Sequence, residues 1–76
     1  MDLQLPIDLA LVGEKAAARQ LLAEVVADDP YNELAWLWLA YCARSNTERQ
    51  LYLEQALIIN PANDRVRIEL EKLEGL

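Results

Sequence analysis

Few side chains in this sequence could carry chemistry. The candidates are Cys42, Ser45, the adjacent acids Asp28 and Asp29, and the series Glu69, Glu71 and Glu74. Histidine is absent, which removes the commonest general base and the commonest transition-metal ligand. Cys42 is the single cysteine, so neither a Cys–His pair nor an internal disulfide can form. Its neighbours in sequence are apolar, and a buried, inert thiol is expected. Ser45-Asn46-Thr47-Glu48 has the Ser-x-x-Glu form of a capping box, so Ser45 reads as a helix cap rather than a nucleophile. Asp28 and Asp29 run into Pro30 and are accounted for by a turn, with at most weak affinity for a cation. The three glutamates read as the solvated face of a terminal helix. Gly13 and Gly75 are the only glycines, so no Gly-rich phosphate loop is available. The expectation is a protein without catalytic residues, cofactor or metal.

Composition narrows the remaining classes. A chain of 76 residues allows one small domain, here taken as 1–76. At 54% hydrophobic it is too apolar to be disordered. Seven basic residues face thirteen acidic ones, which argues against nucleic acid and against an anionic membrane surface. The net charge of −6 is read as a contribution to solubility. The uncharged run Leu34-Ala-Trp-Leu-Trp-Leu-Ala-Tyr-Cys-Ala43 is far shorter than the roughly 20 apolar residues that span a bilayer. The start, Met-Asp-Leu-Gln-Leu-Pro, lacks the basic opening of a secretory signal. With the unpaired cysteine, this points to a cytoplasmic protein.

The residues that must position any site are helix formers. Ala, Leu, Glu and Arg are frequent, Gly and Pro are scarce, and β-branched residues do not alternate with polar ones. Breaks fall at Gly13, at Asp29-Pro30-Tyr31-Asn32, at the Ser45 box and at Asn60-Pro61-Ala62-Asn63, with Gly75 as a C-terminal cap. They predict five helices, at about 3–12, 14–28, 33–44, 47–59 and 64–74. Pro6 either opens a short first helix or sits a turn inside a longer one.

The two Pro turns lie 31 residues apart, from Asp29 to Asn60. An apolar helix precedes each, through Ala18, Leu21, Leu22, Val25 and Val26 in one case and Leu53, Ala56 and Leu57 in the other. Asn, an acid and a further helix follow each. A helix pair is therefore repeated, as in solenoid proteins. In order and spacing, Ala35-Trp36 followed by Leu39-Ala40, Gly13 followed by Ala18, Leu22, Val25 and Pro30, and Leu53, Ala56 and Pro61 resemble the tetratricopeptide repeat (TPR) family. The resemblance covers nearly the whole chain, with repeats at about 1–32 and 33–63 and a closing helix at about 64–74. It implies an all-α fold, a right-handed superhelical stack of antiparallel helix pairs. The sequence departs from the family in three places. The second unit has 31 residues against about 34 in the family, with the deficit around 44–47. Arg49 stands where a small residue is usual, and Pro6 where Gly or Ala is usual.

The middle helix has apolar residues on every side and should be covered on every side or await a partner. By resemblance, Trp36, Leu39, Ala40 and Ala43 pack on helix 47–59. Ala35, Trp38 and Cys42 pack on helix 14–28, against Leu22 and Val26. The third stripe, Leu34, Leu37, Tyr41 and Arg44, is implied to face a concave groove. Leu3, Ile7 and Ala10 of the first helix and Arg65, Ile68 and Lys72 of the last are implied to join it. Some members of the family hold carboxylate tails with Lys and Asn in this groove. Leu34, Leu37 and Tyr41 cannot do so, and only Arg44, Arg65 and Lys72 could pair with acids. The implied role is a non-enzymatic scaffold binding another protein through an apolar or amphipathic helix or peptide. The alternative is a self-associating unit that covers the stripe with a second copy. A third arrangement would fold Met1–Pro6 across the groove and make Leu34 and Leu37 ordinary core.

Overall fold

The computed structural model describes residues 2–75. Five helices follow one another: α1 (Gln4–Leu11), α2 (Lys15–Asp28), α3 (Glu33–Tyr41), α4 (Asn46–Ile59) and α5 (Asp64–Glu74). No strand occurs among the described residues. Each helix packs on the next in chain order, α3 against α4 most extensively, and α1 also touches α3. The shortest dimension of the Cα trace is 16 Å. That is about the thickness of two helices packed at an axial separation of 8–10 Å.

Pro6 meets the first of the two sequence expectations, a short helix with the proline in its first turn. It is the third residue of α1, inside the first turn, where backbone N–H groups have no helical partner. The first helical bond runs from Ile7 N–H to the Leu3 carbonyl, so the missing Pro N–H costs nothing.

The 31-residue repeat is present in the backbone. α2 and α4 are both 14 residues long and begin 31 residues apart, at Lys15 and Asn46. Both close on a non-helical residue of nearly the same conformation, Asp29 at φ −134°, ψ 80° and Asn60 at φ −134°, ψ 83°. Two short backbone bonds then recur, from Asn32 N–H to the Asp29 carbonyl and from Asn63 N–H to the Asn60 carbonyl. Asn32 and Asn63 cap the next helices alike, accepting the N–H groups of Ala35 (3.1 Å) and Val66 (3.3 Å). Ala35 and Leu39 of α3 and Val66 and Leu70 of α5, again 31 apart, are all buried.

The two turns are also bonded to one another. Glu33, the first residue of α3, accepts Asn60 Nδ2 at both carboxylate oxygens (3.2 Å each) and Asn63 Nδ2 at Oε2 (2.8 Å). Its charge lies at the helix N-terminus, where the dipole favours an anion. Asn63 thus works twice, with Oδ1 capping α5 and Nδ2 holding α3.

The first helix of each pair ends differently. After α1, Gly13 takes φ +90°. Its N–H bonds the Ala10 carbonyl and that of Glu14 bonds the Leu9 carbonyl, a Schellman closure. After α3 the corresponding residue is Ala43, which bonds the Ala40 carbonyl without positive φ. Two guanidinium groups complete this end. Arg49 Nε of α4 donates to the Ala40 carbonyl (3.2 Å), and Arg19 Nη1 of α2 donates to the Cys42 carbonyl (2.7 Å). This accounts for Arg49 at a position expected to be small. It also ends α3 at Tyr41 rather than near residue 44.

Two adjoining apolar clusters hold the stack. One joins Leu3, Ala10, Ala18, Leu22, Val25, Ala35, Leu39 and Cys42; the other joins Ala40, Leu53, Ala56, Val66 and Leu70. Leu3 and Ala10, expected in the groove, are therefore core, and Ile7 is half-buried against the same cluster. α1 turns these residues toward α2 and leaves Leu5 exposed. Leu39 belongs with α2 rather than in the second cluster. Trp36 bridges both, with its ring 6.1 Å from Tyr52 and its Nε1 donating to the Pro30 carbonyl (2.8 Å).

The double role of Asn63 sets an order of stabilities. Asn63→Ala loses both the α5 cap and the clamp and should cost about 1–2 kcal/mol, while Asn60→Ala keeps that cap, loses its clamp bonds and the exposed turn bond from Ala62 N–H (3.3 Å), and should cost less. Urea denaturation checks this; equal losses would contradict it.

Candidate functional site

The third side of α3 opens on a depression of about 380 Å³. Leu37, Trp38 and Tyr41 of α3, Leu53 of α4 and Asn63, Arg65, Val66 and Glu69 line it. The end of α3 is shaped by its capping, since Arg19 and Arg49 bond the Cys42 and Ala40 carbonyls where the helix ends at Tyr41. Tyr41 stands edge-on to Trp38, with centroids 5.3 Å apart. Lys15, the first residue of α2, places Nζ 5.1 Å from the centre of the Tyr41 ring.

Of the seven groove residues expected from the middle and last helices, the structure brings Leu37, Tyr41 and Arg65 to one depression. Leu34 and Ile68 stay off its wall but lie one turn from Leu37 and Arg65 respectively, and are 49% and 47% exposed. Tyr41 is 46% exposed, so residues 2–6 do not cover this face. Met1 lies outside the described residues. Lys72 is exposed and pairs with Glu69 at 3.5 Å. Arg44 is elsewhere. Because α3 has already ended, Arg44 sits in the turn, pairs with Glu48 at 3.2 Å and borders a different hollow with Arg19, Trp36 and Tyr52. The Glu48 carboxylate also accepts the backbone N–H of Arg44 (3.4 Å), while Ser45 Oγ accepts that of Glu48 (3.1 Å). The return bond of the capping box is thus displaced by one residue.

Sequence spacing missed Trp38, Lys15, Asn63 and Glu69. Trp38 carried a usable signal. It lies four residues after Leu34 and three before Tyr41, on the border between two stripes, and a half-buried indole can serve both. Lys15 reaches Tyr41 from another helix, and no local pattern encodes that contact.

No family model, curated protein or solved structure matches the chain. The site is therefore read from its own chemistry.

That chemistry is apolar with a few charges. Among the described residues, no three His, Cys, Asp or Glu side chains gather as a metal site. No helix there is long and apolar enough to cross a membrane. Cys42 is buried, and desolvation raises its thiol above the usual range against the opposing pull of Lys15 and Arg19. Burial, then the Glu48 charge, raises Tyr52 in the same direction. Glu48 is lowered, first by its side-chain hydrogen bond from Arg44.

These shifts set the dependence of stability on pH. Cys42 and Tyr52 hold their protons more tightly when folded, so the unfolded chain gives them up first as pH rises. The Cys42 contribution is present below the ordinary thiol range, about 8.5, and that of Tyr52 below the ordinary phenol range, about 10; each is lost as pH rises from there through its raised value. Glu48 acts at the other end. Its contribution is present above the ordinary Glu range, about 4.3, and is lost as pH falls through its depressed value. The thermal midpoint should therefore decline at both ends. Tyr52→Phe should flatten the alkaline limb; an unchanged alkaline limb in that variant would contradict the assignment.

Proposed function

We propose that this chain is a non-enzymatic interaction module, a short TPR-like array whose open face docks an apolar or amphipathic segment of another protein. One observation carries the reading. Leu34, Leu37, Trp38 and Tyr41 share one side of α3, and that side borders an open apolar depression. An exposed apolar patch with polar margins is the form that binding surfaces take. An aromatic pair beside aliphatic walls suits an anchor side chain.

The TPR-like part of the reading is supported by the matched turns at Asp29 and Asn60 and the matched caps at Asn32 and Asn63. In a stack of such units the first helices of successive pairs line one face. Leu37 and Ile68 then become equivalent groove positions, 31 residues apart. Cys42 and Ser45 remain structural here, one buried in the core and the other capping α4.

Replacing Leu37 and Tyr41 together by Glu puts two charges on the groove wall and removes nothing from the fully buried core. Proteins retained from the native host by the wild-type domain should be lost, while far-UV circular dichroism stays near wild type. Unchanged retention by that variant would overturn the groove assignment.

A further inference from the structure

Two cations beside the groove, unpaired among the described residues, indicate the chemistry of its occupant, an inference that rests on the docking reading above. The chain has seven Lys and Arg residues. Five are engaged within the fold. Arg19 and Arg49 cap the end of α3, Arg44 pairs with Glu48, Arg67 with Asp64, and Lys72 with Glu69. Lys15 and Arg65 have no carboxylate or carbonyl partner among the described residues, and both border this groove. Lys15 stands over the Tyr41 ring, and Arg65 lines the wall beside Val66.

Helix-end electrostatics do not favour these two cations where they stand. Lys15 is the first residue of α2 and Arg65 the second of α5. In a first helical turn the dipole disfavours positive charge and favours Asp or Glu. Both cations therefore stand where an acid would serve the helix better, in a protein of net charge −6. Among the described residues one carboxylate lines the depression, that of Glu69, and it is already paired with Lys72.

We propose that the groove takes an acidic amphipathic segment of another protein. A bulky apolar side chain seats against Leu37, Tyr41 and Val66, and carboxylates on its two flanks reach Lys15 and Arg65.

The test is a display library of helical peptides, apolar along one face and random at the flanking positions, selected on the wild-type domain. Recovered peptides should be enriched in Asp and Glu at the flanks. One of them, resynthesised with Glu, Gln or Lys there, should bind in that order. The span from Glu to Lys should be about three- to tenfold at low ionic strength and should shrink with added salt. In the Lys15→Gln/Arg65→Gln variant the order should collapse, while affinity for the Gln peptide and the thermal midpoint are kept or rise. Equal affinity for the Glu and Lys peptides, with both lost in Leu37→Glu, would overturn the charge preference and leave the groove. Peptides that bind wild type and Leu37→Glu alike, or none recovered at all, would overturn both. A wild-type dimer that the Gln pair dissociates would assign the face to a second copy and overturn the proposal.

Discussion

A nine-residue helix without a polar face constrains everything around it. α3 reads Glu-Leu-Ala-Trp-Leu-Trp-Leu-Ala-Tyr, with its only charge at the first residue. In water such a segment is satisfied only by neighbours, because exposed apolar surface costs on the order of 25 cal/mol per Å². α2 covers the side bearing Ala35, Leu39 and Cys42, and α4 covers Ala40 and part of Trp36. Small residues at Ala35 and Ala40 let both neighbours approach closely. In a body whose thin dimension is 16 Å there is no further layer to cover the third side. The depression along Leu37, Trp38 and Tyr41 follows from that deficit.

The polar groups of the fold work to place α3. Its N-terminus is held by Asn32 from before and by Asn60 and Asn63 from the next turn, through Glu33. Its C-terminus lacks a glycine and is closed by Arg19 and Arg49 from the two flanking helices. Each of these bonds contributes on the order of 1 kcal/mol. For a domain this small, a few such bonds are a large share of the stability available. The same bonds fix the helix end at Tyr41 and so shape the rim of the groove.

Much of this was legible in the sequence because it is local. The five helices, the Pro turns and the Asn caps are encoded within a few residues, and the 31-residue offset between the turns requires only that both be noticed. The length of α3 was not legible. Nothing in Ala43-Arg44 announces a stop, and the helix ends where guanidinium groups from the two flanking helices take the Ala40 and Cys42 carbonyls. Arg44 left the expected groove for that reason. The rotation of α1, which buries Leu3 and Ala10, is likewise decided by packing against α2. Lys15 was invisible because its contact with Tyr41 crosses helices, and its unusual place in a first turn has meaning only beside that ring.

The central claim is that two sides of α3 are shielded and the third is open in the free protein. Nuclear magnetic relaxation by a soluble paramagnetic agent measures this directly, methyl by methyl and ring by ring. The account predicts strong relaxation at Leu34 and Tyr41, intermediate relaxation at Leu37, and little at Leu22 and Leu39. Protection of Leu34 and Tyr41 equal to that of Leu39 would contradict it.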